Sequence, residues 1–196
     1  GAGNSIPTAC DHQAYETGAV GFYKKSTGIY IVDHAINGLM KEKIFNLGQV
    51  YNDISRFVYM QMQEDYEPDN VHEFMEAAPG KVMGLSAYGS HNEVDLGHIW
   101  SLTSPPYSVS IKDNKMPTEK MLGVYEAKDL AAWLQHEFEH ILVEYFKAIP
   151  KELKKNNLCI AGGCGLNVLA NRRLLDEGLF NNIHVFPGAN DSGLCF

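Results

Sequence analysis

Residues 157–175 read NLCIAGGCGLNVLANRRLL, and this stretch decides the fold. An apolar run passes through a glycine pair into a helical pattern, which predicts a buried strand, a tight turn and a helix N-terminus. Gly162 and Gly163 permit positive φ or the close approach of a phosphate, and the free N–H groups of a helix's first turn attract anions. The stretch is therefore a candidate anion-binding turn.

A second unit of the same kind follows directly. Residues 183–186, IHVF, predict a short strand, and the turn PGANDSG at 187–193 closes it with the carboxylate of Asp191. Taken alone, Asp191 also fits an ordinary turn residue, because Asn, Asp, Ser and Gly are common in turns. Loops at neighbouring strand ends of an open α/β sheet usually bind the ligand, so the two turns together predict a site.

Composition sets the class of protein. The chain has 196 residues, 45% apolar and 20% charged, which suits one globular domain or one lobe of a larger one. A net charge of −8 argues against a nucleic-acid partner. No long apolar run and no signal peptide are visible, so no membrane partner is expected. The four cysteines lack CxxC spacing, which favours a reducing compartment such as the cytoplasm.

Hydrophobic periodicity predicts the remaining elements. Apolar groups recur at helical spacing over residues 47–62 and 127–147, which predicts two amphipathic helices. Residues 28–32, GIYIV, predict a strand, whereas the small residues of 18–23, GAVGFY, favour a closely packed helix. Residues 91–126 are polar and interrupted by proline, so we expect short strands and loops there.

Two local patterns allow chemistry as well as a structural interpretation. Residues 79–81, Pro-Gly-Lys, predict a turn that aims Lys81 at a phosphate or leaves it solvated. Cys164 stands where a nucleophile elbow would stand, but Leu166 occupies the place of the glycine that the elbow requires. A small residue in a tight loop is therefore favoured over a Cys–His hydrolase.

The helix at 127–147 contains HEFEH at residues 136–140. This fits the HExxH pattern, in which two histidines one turn apart bind zinc and the glutamate acts as base. A helical wheel places His136 and His140 about 120–160° from the apolar stripe, on a polar face. No downstream segment resembles a zincin's third-ligand signature. A surface histidine pair is favoured, and a zinc metalloprotease using His136, Glu137 and His140 is the alternative.

Several segments together resemble one family. PGKVMGLSAYG at residues 79–89 resembles the PGKVMGLAAYG signature of the O-carbamoyltransferases, which include nodulation and antibiotic-tailoring enzymes. GGCGLNVLAN at 162–171 resembles their GGxALNxxxN segment, with glycine for alanine at Gly165. PGANDSG at 187–193 resembles their PxxxDxG turn, and NLGQVY at 46–51 resembles their SLGxxY helix start. The order matches, and the resemblance covers most of residues 10–196.

The resemblance implies an α/β fold with the ribonuclease H-like lobes of the actin-like ATPase superfamily. Residues 1–196 would form part of such an ATPase-fold domain, without the remaining lobe and the family's C-terminal domain. The implied activity uses carbamoyl phosphate and ATP, forms a carbamoyl-adenylate, and passes the carbamoyl group to a hydroxyl of a small-molecule acceptor. A non-catalytic nucleotide-binding module of the same superfamily is the alternative.

The resemblance also implies roles for particular residues. Asp191 matches the family's metal-binding aspartate and, with Lys81 of the signature segment, is a candidate catalytic residue. The residues expected to line the nucleotide or carbamoyl-adenylate are Gly162, Gly163, Gly165, Asn167 and Asn171.

The metal site departs from the family pattern. The family uses an HHxxH segment, whose first and last histidines bind iron, whereas Asp11 and Tyr15 stand at those positions here. With Asp191 they would form an oxygen-rich site, which favours a harder divalent cation than iron. The family's DGxG-type phosphate loop also has no clear counterpart before residue 46, where only VDHA at 32–35 comes close.

Overall fold

A computed structural model describes residues 16–24, 28–36, 47–62, 71–103, 108–148 and 157–189. Six strands lie in these ranges: β1 (Glu16–Lys24), β2 (Gly28–Ile36), β3 (Trp100–Thr103), β4 (Ser108–Ile111), β5 (Asn157–Ile160) and β6 (Asn182–Val185). The same ranges contain the helices α1 (Leu47–Gln61), α2 (Val71–Leu85), α3 (Glu119–Leu122), α4 (Ala127–Ala148) and α5 (Val168–Asp176). Helices and strands are thus mixed, as expected for the α/β class.

Helix α4 lies at the centre of the core. Its Leu130, Leu134 and Phe138 are at most 1% exposed and belong to one apolar cluster that also includes residues of α1, α2 and α5. Fully burying such a side chain stabilises the fold by about 1.5–3 kcal/mol. The predicted helix at 127–147 is confirmed, and none of the helices in the described ranges is long and apolar enough to cross a membrane.

Helix α1 confirms the prediction for residues 47–62. Val50, Ile54 and Val58 recur at intervals of four residues and are fully buried against α4 and α2. This spacing places them on one face of the helix, so the apolar stripe read from the sequence is the packed face.

The strands form three separate pairs among the described residues. β1 pairs with β2 and β3 with β4, both antiparallel, whereas β5 and β6 are parallel. The parallel pair is joined through α5, so residues 157–185 form the predicted strand–turn–helix–strand unit. The prediction of a buried strand is wrong for β5, because its residues alternate between exposed and half-buried.

The helix predicted at residues 18–23 is wrong, because this segment lies in β1. The register of β1 against β2 shifts between Glu16 and Gly18 and again between Val20 and Gly21. Glycines within a strand commonly mark such bulges. The small residues therefore serve an irregular hairpin rather than a close helix contact, and the strand predicted at 28–32 is confirmed as β2.

The turn predicted at residues 79–81 is also wrong, since α2 continues through Pro79 to Leu85. A proline inside a helix removes a hydrogen bond and costs about 3 kcal/mol. Ala78 and Val82 on either side are fully buried, and α2 packs on α1 and α4. This burial offsets the local cost.

Candidate functional site

The turn after β5 contains the residues that the sequence singled out first. Gly162 has φ 99° and ψ 162°, a conformation that is essentially restricted to glycine. Among the residues that the structure describes, no atom lies within 4 Å of a Cβ added there. Residues 163–166 then form a 3₁₀ turn, in which the N–H of Gly165 donates to the carbonyl of Gly162 at 2.9 Å. The backbone at Gly162 is thus bent sharply and borders open space.

The turns after the two parallel strands are joined directly. The N–H of Gly162 donates to the carbonyl of Ala189 at 2.6 Å. The prediction that the two strand-end loops lie side by side is therefore confirmed as far as Ala189. Asp191, Asp11 and Tyr15, the predicted metal and catalytic residues, lie outside the described residues.

Three of the predicted nucleotide-lining residues make contacts within the turn itself. Asn167 caps α5, and its Oδ1 accepts from the N–H of Ala170 at 3.0 Å. Asn171 Nδ2 donates to the carbonyl of Gly165 at 2.8 Å. Gly165 is buried, and an added Cβ would lie 3.1 Å from Ile160 Cγ2. Their role towards a ligand stays a prediction.

Sequence reasoning missed Gln135, a 4% exposed residue of α4 that bonds to the cap. Its Nε2 donates to Asn167 Oδ1 at 3.0 Å and to Glu139 Oε1 at 2.8 Å. Its Oε1 accepts from Asn167 Nδ2 and from the hydroxyl of Tyr51, each at 2.9 Å. Tyr51 belongs to the segment resembling SLGxxY, so this network joins two family-like segments. The only hint in the sequence was an uncharged amide beside the apolar stripe of α4.

Burial raises the pKa of the Tyr51 phenol well above its ordinary value, and the charge of Glu139 adds to the shift. The phenol therefore stays protonated and acts as a donor towards Gln135 at any physiological pH.

The signature-like segment at 79–89 packs against the start of α4. Lys81 is exposed on α2. A Cβ on Gly89 would lie 2.0 Å from the carbonyl oxygen of Lys128, so only glycine fits at this crossing. The next residue, Ser90, donates its N–H to Asp129 Oδ1 at 2.8 Å. The segment at 79–89 thus ends in close contact with α4. It is not part of the glycine turn, which follows β5.

Residues of the HExxH motif make structural contacts with the loop at residues 91–99. Glu137 is buried, and its carboxylate lies 3.0 Å from His98 Nδ1 and accepts from the N–H of Ile99 at 3.1 Å. His136 stacks on His91 with ring centroids 4.1 Å apart and an interplanar angle of 3°. Parallel rings direct their nitrogen lone pairs along parallel planes rather than at one ion.

No group of three or more His, Cys, Asp or Glu in the described ranges could hold a metal ion. The zinc metalloprotease alternative therefore finds no support there, and the motif instead attaches the loop at residues 91–99 to α4. Burial, followed by the neighbouring His91, lowers the pKa of His136. Such a shift favours the neutral ring within the stack.

Cys164 has the properties of a packed residue. Burial raises the pKa of its thiol, which is opposite to the shift of an activated nucleophile. Cys159 and Cys164 are both free thiols. The sequence-based preference for a small loop residue at Cys164 agrees with these observations.

A cleft of about 110 Å³ opens between α4 and the end of α5. Among its lining residues, Arg173 pairs with Glu177 at 2.8 Å, and Lys147 lies 3.2 Å from the same carboxylate. Lys147 also lies 3.6 Å from the carboxylate of Glu144, so two carboxylates offset these two cations and the cleft is a poor phosphate site. The open backbone at Gly162 is the better candidate.

Comparison with known proteins identifies the family. The family model Carbamoyltransferase N-terminus matches residues 19–196, so the chain belongs to the carbamoyltransferase family. It is 28% identical over 159 residues to nodulation protein NolO of Bradyrhizobium diazoefficiens, which covers 76% of this chain and 26% of that protein. It is 40% identical over 68 residues to nodulation protein U of Azorhizobium caulinodans, covering 33% and 12% of the two chains.

An uncharacterized protein of Synechocystis is 45% identical over 65 residues, which cover 33% of this chain and 11% of that protein. The alignments with these three relatives therefore span 11% to 26% of their lengths. The expectation of a carbamoyltransferase from the segments at 79–89 and 162–171 is confirmed.

Proposed function

We propose that this chain is part of an O-carbamoyltransferase of the actin-like ATPase superfamily, with ribonuclease H-like lobes. It uses carbamoyl phosphate and ATP, forms a carbamoyl-adenylate, and carbamoylates a hydroxyl of a small-molecule acceptor. The observation that carries the proposal is the Gly162 turn, where open space borders the ends of two parallel strands. Family membership supports the transferase chemistry.

The turn suits a phosphate for two reasons. Without a Cβ in the way, the oxygens of a phosphate can approach the main chain beside Gly162, and the donor would come from the next residue, because the N–H of Gly162 is bonded to Ala189. Helix α5 begins at Val168, directly after the turn, and the positive end of its dipole favours an anion. Gly163, at the start of the 3₁₀ turn, would line the same anion.

The acceptor hydroxyl would attack the carbamoyl carbon of the adenylate, with release of AMP and a proton. Lys81 is proposed to offset phosphate charge, and Asp191 to act in catalysis and hold a divalent cation with Asp11 and Tyr15. All three proposed metal residues offer oxygen, which favours a hard cation such as Mg²⁺ over iron. When bound, such a cation would neutralise the charge that develops on the leaving phosphate.

The proposal is tested by incubating the intact protein with ATP, carbamoyl phosphate and Mg²⁺, and measuring carbamoyl-adenylate by mass spectrometry. We expect Lys81→Ala to lower its formation about tenfold, the effect of losing a charge-assisted contact. Asp191→Asn should lower it more, and Lys128→Gln, at an exposed surface pair, should leave it unchanged. Failure of the wild type both to bind ATP and to form the adenylate would contradict the proposal.

The second candidate is a non-catalytic nucleotide-binding module, which the replacement of two family histidines by Asp11 and Tyr15 favours. Thermal unfolding separates the two. ATP at 100 times its Kd should stabilise either protein by about 2.7 kcal/mol. If the stabilisation needs a divalent cation, the enzyme is supported; if ATP alone gives all of it, the module is supported.

A further inference from the structure

Gln135 and Asn167 form a reciprocal amide pair. Each side chain donates to the other's oxygen, at 3.0 Å from Gln135 Nε2 and 2.9 Å from Asn167 Nδ2. The orientation of the pair is determined by the backbone, because Asn167 Oδ1 must also accept from the N–H of Ala170. Asn167 Nδ2 therefore faces Gln135 Oε1, and Gln135 Nε2 faces Glu139.

The hydrogen-bonding capacity of Gln135 is fully used. Its two N–H groups donate to Asn167 and Glu139, and its oxygen accepts from Asn167 and Tyr51. A buried amide with every donor and acceptor paired is rigid, because each broken bond would leave a group unsatisfied away from water.

The oxygen of the Asn167 side chain is also fully used. The side chain is 8% exposed, its Oδ1 accepts from Ala170 and from Gln135, and its Nδ2 donates to Gln135. A ligand that bound Asn167 Oδ1 would have to break one of these contacts. The main chain of the turn, by contrast, borders open space at Gly162.

We propose that Gln135 is a positioning residue of the transferase site, an inference that rests on the proposed function. Together with Asn167 it holds the turn at residues 162–167 in place, and the main chain of that turn, not the Asn167 amide, meets the nucleotide phosphates. Tyr51 connects the pair to α1, which also packs on the turn. Three helices thus hold one ligand-facing loop.

The experiment uses the intact protein with three variants. Gln135→Met keeps the length of the side chain and removes all four hydrogen bonds. Gln135→Glu places a second carboxylate beside Glu139, and the double variant Gln135→Glu/Glu139→Gln restores a donor–acceptor pair between these positions. Lys128→Gln, at an exposed site on the same helix, is the matched control.

Two quantities are measured for each variant: the exchange rates of individual backbone amides, and the Kd for ATP with Mg²⁺. For Gln135→Met we expect the amides of Gly165, Asn167 and Ala170 to exchange about tenfold faster relative to those in the middle of α4, and the Kd to rise about tenfold. Gln135→Glu should behave similarly. The double variant should recover only part of each loss, because it restores the bond between positions 135 and 139 but not the donor to Asn167 Oδ1.

A general loss of stability would speed exchange equally in the turn and in α4, and that result would overturn the proposal. It would also be overturned if Gln135→Met changed neither the exchange rates nor the Kd by more than about twofold. A change that small is less than the loss of one hydrogen bond would produce. A wild type that does not bind ATP would contradict the proposed function. In that case the exchange rates alone still decide whether Gln135 holds the turn.

Discussion

The segments at 79–89 and 162–171 both resemble the carbamoyltransferase family, but glycine is required in them for different reasons. In the segment at 79–89, Gly89 crosses α4 so closely that a Cβ would lie 2.0 Å from a backbone oxygen. In the segment at 162–171, a Cβ on Gly162 would meet none of the described residues within 4 Å, but the backbone conformation is one that other residues rarely adopt. Glycine is needed in the first for contact with the protein and in the second for conformation.

The difference between Gly89 and Gly162 indicates that the first glycine contributes to stability and the second to the proposed ligand site. The joint at Gly89 attaches the loop after α2 to the helix at the centre of the core. The bend at Gly162 lies beside the turn after β6, to which its N–H is bonded at Ala189. Gly89 therefore positions elements, and the segment at 162–171 supplies main chain on which we propose that ATP binds.

The largest effect is expected for Gly89→Ala. The added methyl group would overlap the Lys128 carbonyl, and backbone atoms on both sides must move, at a cost of about 3 kcal/mol in the free energy of unfolding. Urea titration measures it. The control is Gly84→Ala in the same segment: this helical position has nothing within 4 Å, so alanine should stabilise by about 0.5 kcal/mol. Equal effects at the two glycines would contradict the comparison.

A smaller loss of stability is expected for Gly162→Ala. Glycine is required there by the backbone conformation and not by a steric contact with a neighbouring residue. The strain should cost about 2 kcal/mol in the free energy of unfolding. Gly162→Asn should cost as much, whereas Gly178→Asn should cost little, since Gly178 has φ 65°, in the left-handed region that asparagine tolerates. If asparagine were tolerated equally at both positions, the conformational argument would be wrong.

The hydrogen-bonded link from Tyr51 through Gln135 to the glycine turn can be tested by pH. Burial raises the pKa of Tyr51 in the folded protein, so the unfolded phenol ionises first, near its ordinary value of 10.0. The stabilisation is present below that pH and is lost as pH rises above it. Tyr51→Phe should cost about 1 kcal/mol at neutral pH and weaken the alkaline decline. Unfolding free energies at pH 8 to 11 measure this, and an unchanged decline would place Tyr51 outside the buried network.

The smallest effect on stability is expected at Lys81. Its side chain is exposed on α2, so Lys81→Ala should change the free energy of unfolding by less than about 0.5 kcal/mol. Under the proposed function the same change should weaken ATP binding. Chemical denaturation and a binding titration on one preparation give both numbers. A large loss of stability with unchanged affinity for ATP would show that Lys81 stabilises the fold and does not bind the ligand.

Sequence reasoning succeeded where the signal is local. The helices α1 and α4 follow from apolar residues at helical spacing, and the unit from β5 to β6 follows from an apolar run, a glycine turn and a helical pattern. It failed at residues 79–81 because proline and glycine favour a turn locally, while burial of Ala78 and Val82 holds the helix together. Propensity is a weak prior that packing overrides.

Gln135 lay beyond such reasoning. Its partners Tyr51 and Asn167 are 84 and 32 residues away along the chain, so nothing local marks it as different from any other glutamine. The close contact at Gly89 could not be predicted from the sequence either, because the atom that it approaches belongs to Lys128, far away along the chain. Contacts between distant segments depend on how the helices cross, which no short pattern encodes.

The sequence by itself determined the helical stripes, the glycine turn before a helix, and membership of the carbamoyltransferase family. These depend on the spacing of side chains along one segment or on the order of segments. Only the tertiary structure decided which glycine is packed and which is open, and that the Asn167 amide is held by Gln135. The physical reason is that space and hydrogen-bond partners are set by the neighbours of a residue in the fold.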